Sequence, residues 1–296
     1  MQNDNLKHHL HLHFIVLIWG FTAVLGALIS LEAIPLVWFR MSLAALAVLL
    51  FMIVSGRWRR PKLKTLGKMF ALGLALALHW LTFFGAIKIS NVSVTLSVMA
   101  TGAFFAAFLE PLIFSRPMNW REVVLGLFAV LGLGIIFHAS TQYVWGIVLA
   151  LISAFLSALF SVFNGRLVKE NSATTISFFE LTFGVLGISI YLLFTQGFSG
   201  AFFDLSGSDW IYLIILSTIC TAYAFIASVN LMKWLTPFTL MLTINLEPIY
   251  GIVLALLVFG DAEYMSGGFY FGAAIILGTV LINAYFKSKG RRNSPK

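Results

Sequence analysis

Cysteine and charge are what this sequence has least of. One cysteine, Cys220, stands among 296 residues, which excludes a disulfide framework and any thiolate metal site. Charged residues make up only 10% of the chain, whereas soluble domains carry about 25%. The few aspartates lie outside the apolar runs or, as with Asp209, at the very edge of one, so an aspartate pair at membrane depth is missing and an intramembrane enzyme is not expected. Residues 1–11 are polar and lack a small-residue cleavage motif, so no cleavable signal is expected. The short tract His8, His9, His11 and His13 has two readings, metal binding or an interfacial position at a membrane entry, and the second is favoured. Neither a cofactor nor a metal is expected.

What is present is apolar. Hydrophobic residues make up 60% of the chain and aromatics 15%, with 29 Phe. They fall into ten runs, at 12–31, 35–55, 66–87, 91–113, 120–138, 144–165, 174–196, 209–230, 236–259 and 265–286. Each is long enough to cross a hydrocarbon core of about 30 Å at about 1.5 Å per residue. The expected fold is therefore all-α and integral to the membrane, with ten spans and no extramembrane domain. A net charge of +8 does not indicate nucleic acid, because its distribution is one-sided. Lys7, the cluster Arg57 to Lys68, Arg116, Arg121, Arg166, Lys169, Lys233 and the tail from Lys287 to Lys296 fall on one side; Lys88 alone falls on the other. That asymmetry places both termini in the cytoplasm.

The chain also repeats itself. Residues 12–138 and 144–286 each hold five runs, and markers recur in order. Phe39-Arg40 is echoed by Phe179-Glu180, Ala86-Ile87-Lys88 by Leu231-Met232-Lys233, and Leu112 to Arg116 by Leu257 to Asp261. An odd number of spans per copy inverts the second copy in the membrane, an arrangement used by secondary transporters with a site between the copies. Small residues mark packing faces. Ala150, Ala154 and Ala158, with Ser153, Ser157 and Ser161, form a stripe read as helix packing, and Gly268 and Gly272 form a GxxxG step.

Ionisable groups inside spans are costly, about 2.5–3.5 kcal/mol each near the centre, and need a reason. Arg40 and Glu180 occupy equivalent positions about six residues into their runs; a gate or packing lock is favoured over substrate contact. Glu110, beside Pro111, suits a gate or cap near the cytoplasmic end of its run. Glu247 is the candidate proton-coupling or cation-recognising acid. It lies near the middle of its run, before Pro248 and on one face with Thr243 and Gly251. A structural carboxylate is the competing reading. His79, followed by Trp80 and one turn from Phe83, can donate and accept in a wet cavity, or be an ordinary bonded interior histidine. Trp19, Met99, Phe160, Asn164, Tyr223 and Asn245 also lie inside runs and are candidates to line a lumen.

Trp19-Gly20, Phe39-Arg40, Ala86-Ile87-Lys88, Leu246-Glu247-Pro248 and Phe259-Gly260-Asp261, in that order, resemble the EamA-type transporters of the drug/metabolite transporter superfamily. The resemblance covers about residues 12–286. It implies a ten-helix inverted-repeat fold that exports or exchanges small metabolites across the bacterial cytoplasmic membrane. It also implies a central cavity walled by helices 1, 3, 4, 6, 8 and 9, which carry Trp19, His79, Met99, Phe160, Tyr223 and Glu247. The expected function is secondary active transport of small solutes such as amino acids by alternating access; the alternative is proton-coupled efflux of lipophilic cationic drugs. The expected partners are the lipid bilayer, the solute and protons, with the protein a monomer or homodimer.

Overall fold

A computed structural model of the protein describes residues 2–56, 60–115, 117 and 120–292. For residues 2–5, 120–123, 237, 238, 242, 280 and 283–292 it describes the backbone only. Arg57 and Arg116 of the basic clusters lie outside the described residues, as does the end of the tail from Asn293.

Every regular element among the described residues is helical. The order is α1 (Gln2–Leu28), α2 (Ala33–Val54), α3 (Leu63–Ile89), α4 (Val92–Met99), α5 (Gly102–Phe114), α6 (Trp120–Ala139), α7 (Val144–Leu167), α8 (Ala173–Phe194), α9 (Gly207–Ser217), α10 (Ala224–Leu231), α11 (Pro237–Ile244), α12 (Glu247–Phe259) and α13 (Gly267–Arg292). A π-helical segment, Thr218–Tyr223, joins α9 to α10. Among the described residues, seven stretches are long and apolar enough to cross a bilayer: Leu6–Leu28, Ala33–Val54, Leu63–Ile89, Val92–Phe114, Thr141–Leu167, Ala173–Phe194 and Gly207–Leu231. Val124–Ala139 and Gly267–Thr279 are shorter apolar helices. The protein is a multi-pass membrane protein.

Three local features go beyond what the apolar runs convey. Helix α1 begins ten residues before the apolar run, so the His-rich prefix is helical. There His8 stacks on Trp234 with centroids 4.4 Å apart. The loop Gln196–Ser208 contains a 3₁₀ turn, Gly200–Phe203, whose Phe202 is buried against Phe39 and Phe198. Pro248 is not inside a continuous helix. Helix α11 stops at Ile244 and α12 restarts at Glu247, so Pro248 sits in a first turn, where its missing N–H costs nothing. Ending the helix there also removes the clash that a proline ring makes with the carbonyl four residues back, here that of Ile244. Thr243 and Glu247 lie on either side of the break and not on one helical face.

Glycines set the tightest crossings. A Cβ on Gly20 of α1 would stand 3.0 Å from Tyr250 Cβ and 3.3 Å from Gly251 N of α12. Gly132 of α6 and Gly272 of α13 meet reciprocally, each blocking a Cβ on the other with its carbonyl oxygen at 2.8 and 2.7 Å. Close backbone approach is how helices associate where hydrocarbon removes the hydrophobic drive.

Candidate functional site

Against this frame of small residues, the larger and more polar side chains converge on one internal cavity. It is walled by α1, α2, α3, α4, α7, the π-helical segment, α10, α11 and α12. Its volume is about 80 Å³; one water needs about 10–15 Å³ on this measure, so it has room for several waters or part of a small solute.

Trp19, His79, Phe83, Met99, Phe160 and Glu247, all singled out in the sequence, line this cavity. Each is placed by a local reason. Trp19 precedes Gly20, and the close crossing there brings α1 against the start of α12, beside Glu247. Glu247 is the first residue of α12, set by the helix break where the positive end of the helix dipole favours an acid. His79 is held by α7. Its Nδ1 donates to the Ser153 carbonyl at 3.0 Å, while the Ser153 hydroxyl, 2.8 Å from that nitrogen, donates to the His79 carbonyl at 2.9 Å. Nδ1 thus carries the hydrogen, and Nε2 is the ring position left to accept. Phe160 packs on the same ring, centroids 5.4 Å apart.

Three predicted residues lie elsewhere. Asn164 is buried on α7 and donates to Glu180 Oε2 at 3.0 Å. Tyr223 is 43% exposed; its hydroxyl bonds the His11 ring at 2.9 Å, and it borders a second, wider cavity of about 780 Å³ with Asn230 and Lys233. Asn245 is buried in the break between α11 and α12, its Nδ2 without a hydrogen-bond partner among the described residues. Depth along a span does not give rotation about its axis, and these three rotate away. Among the charged candidates, Glu110 is buried on α5 and Glu180 is buried between α3, α7 and α8; neither lines the cavity.

Arg40 does line it. Only 1% exposed, it donates from Nε to Thr221 Oγ1 at 2.6 Å, and its guanidinium carbon lies 4.0 Å from the Trp80 ring centroid. The π-helical segment makes this bond available, since Thr221 Oγ1 also donates to the carbonyl of Leu216 five residues back, at 2.7 Å. Sequence reasoning also missed Ser157 and Ser161, which were read as packing and which line the cavity. A serine every fourth residue on the same helix as His79's partner was the available signal.

At one end of the bundle, two carboxylates that sequence reasoning did not single out tie distant segments together. Asp209 accepts from the Ser30 N–H at 2.8 Å and hydroxyl at 2.7 Å. Buried Glu263 accepts from the backbone N–H groups of Val92 and Ser93 at 2.9 and 2.8 Å, capping α4. Lys88 Nζ donates to the Ile29 carbonyl at the same end. Carboxylates on helix N-termini are stabilised by free N–H groups and the dipole.

Apolar membrane-crossing helices around a small, mostly apolar cavity that carries Arg40, His79 and Glu247 describe a membrane protein with an internal site for a small solute. The chain belongs to the EamA-like transporter family, whose profile matches residues 9–138 and again residues 144–285. It is 25% identical over 236 residues to the uncharacterized transporter YxxF of Bacillus subtilis, covering 76% of this chain and 73% of that one. It is 26% identical over 217 residues to an uncharacterized transporter of Archaeoglobus fulgidus, covering 72% and 77%. A solved crystal structure superposes with a TM-score of 0.68 at 16% identity, over 95% of this chain and 98% of the other. That likeness concerns the fold.

Proposed function

We propose that the protein is a secondary active transporter that exports or exchanges small metabolites, amino acids among them, by alternating access. In this reading ten spans form two inverted five-helix repeats, 12–138 and 144–286, in the bacterial cytoplasmic membrane with both termini inside. The end tied together by Asp209 and Glu263 faces outward. Packing supports the repeat. The span α4–α5 meets α7 as α11–α12 meets α1, α3 meets α7 and α8 as α9–α10 meets α1 and α2, and α6 meets its own counterpart α13. The fourth span of each copy is broken at the matching place, α5 restarting at Gly102 and α12 at Glu247. Discontinuous helices of this kind border substrate sites in transporters.

The observation that carries the reading is the cavity itself, apolar in most of its wall yet furnished from both repeats with Arg40, His79 and Glu247. The test is counterflow in proteoliposomes preloaded with a mixture of amino acids, nucleosides, sugars and cationic dyes. Saturable, trans-stimulated uptake of one class is expected; only linear, unsaturable leakage of every class would sink the proposal. Export of lipophilic cations is the second reading, favoured by Glu247 sharing the cavity wall with Trp19, Phe83 and Phe160. Preferential counterflow of the dyes would select it.

A further inference from the structure

We propose that Arg40 is the anchor for a carboxylate of the transported solute, so that the substrate class is a small carboxylate carrying an apolar side chain, most fully an α-amino acid. The proposal rests on the transport reading above and adds the group that is recognised. Three observations support it.

First, Arg40 is a cation buried at 1% exposure whose Nη1 has no hydrogen-bond partner among the described residues. Its one protein hydrogen bond, from Nε, goes to the neutral hydroxyl of Thr221. A buried charge without a directly bonded anion is unfavourable; Glu247 shares the cavity but makes no hydrogen bond to Arg40, whose Nη1 is left to take a carboxylate. Second, the orientation is fixed. Trp80 at 4.0 Å and Phe84 at 5.2 Å cover the guanidinium, and Thr221 holds Nε. The Nη edge is what is left for a planar, bidentate acceptor, the geometry a carboxylate matches. Third, the same cavity carries the opposite charge. Glu247 enters from α12, and the rings of Trp19, Phe83 and Phe160 line the same cavity. A solute with a carboxylate, an ammonium and an apolar side chain satisfies all three at once. A lipophilic cation would satisfy Glu247 and leave Arg40 unpaired and repelling.

The experiment uses purified full-length protein in proteoliposomes, with counterflow of three probes: L-leucine, its amide L-leucinamide, and isocaproate. The amide removes the carboxylate; isocaproate keeps it and removes the amine. Leucine and, more weakly, isocaproate are expected to exchange, with leucinamide roughly tenfold or more poorer. Arg40→Gln should raise the half-saturating leucine concentration by roughly tenfold to a hundredfold and abolish the preference over leucinamide. Arg40→Lys should restore part of it, since charge returns without the planar fork. Leucinamide exchanged as well as leucine by the wild type, or a preference unchanged in Arg40→Gln, overturns the proposal and leaves transport standing. The wild-type comparison decides the matter even if the variants fail to fold. Counterflow of no solute class at all, cationic dyes included, overturns the transport reading itself, and this proposal with it.

Discussion

Asp209 holds Ser30 by both its backbone and its side chain: Oδ1 accepts from the N–H at 2.8 Å and Oδ2 from the hydroxyl at 2.7 Å. The residues are 179 positions apart. The bond pair ties the turn between α1 and α2 to the start of α9, one helix from each half of the chain. Ser206 completes the arrangement as the N-cap of α9, accepting from Asp209 N–H and donating its hydroxyl to Asp209 Oδ2.

If the two halves separate at this end during the transport cycle, Asp209 is part of the latch. Hydrogen bonds to a charged group contribute about 1.5–3 kcal/mol, enough to shift an open–closed ratio by about tenfold or more. Asp209→Ala is therefore expected to populate the outward-open form. Cys220, buried on the cavity wall, is the natural reporter, being the only thiol. A membrane-impermeant thiol reagent added outside should modify Cys220 about tenfold faster in Asp209→Ala than in the wild type. Equal rates would remove Asp209 from the gate.

Glu263 makes a different kind of join. It caps the N-terminus of α4 from the turn before α13, satisfying two backbone N–H groups that the helix itself cannot. Loss of a cap costs about 0.5–2 kcal/mol. Glu263→Ala should lower the unfolding temperature of the purified protein, and Glu263→Gln should lower it less, because one amide oxygen still accepts. A glutamine variant as unstable as the alanine one would mean that charge, not acceptance, is what Glu263 supplies.

The broad fold was legible because hydrophobic runs of membrane-crossing length need no tertiary information. The site was legible only in part. Trp19 and Glu247 announce themselves beside Gly20 and Pro248, residues with backbone consequences. Arg40 could be placed at a depth but not on a face, and its partner Thr221 depends on a π-helical segment that no composition signals. The break between α11 and α12 was hidden because Asn245 and Leu246 are ordinary helical residues; the interruption follows from Pro248 further along. Asp209 and Glu263 were passed over because they lie at span ends, where an acid is unremarkable until the distant N–H groups it meets are known.

Two glycines should respond in opposite directions to the same substitution. A Cβ on Gly73 of α3 would lie 2.5 Å from the Glu180 carbonyl oxygen and 3.1 Å from its Cα, both backbone atoms of α8. Helix α3 must then move off α8, at a cost of about 1–3 kcal/mol. Gly134 of α6 has nothing within 4 Å of the same position, so alanine there should gain up to about 1 kcal/mol of helix propensity. Thermal unfolding of Gly73→Ala and Gly134→Ala should move the midpoint down and up respectively. A Gly73→Ala protein as stable as the wild type would show that the α3–α8 crossing is not set by this contact.

Glu247 invites the sharpest functional separation. It stands at the restart of a broken helix, on the wall of the cavity and in the same enclosure as the Arg40 guanidinium. A carboxyl group in that position can exchange a proton for the solute, because a neutral acid and a solute-paired carboxylate both avoid an isolated buried charge. Glutamine keeps the shape and hydrogen-bonding capacity but cannot take up or release the proton. Glu247→Gln should therefore still catalyse solute-for-solute counterflow, at a higher half-saturating concentration because the ammonium loses its charged partner, while losing accumulation driven by a proton gradient. The two assays on the same proteoliposomes give the answer. Accumulation that persists in Glu247→Gln, or that is absent from the wild type under a proton gradient, would remove Glu247 as the coupling group and leave it a binding carboxylate for the solute's ammonium.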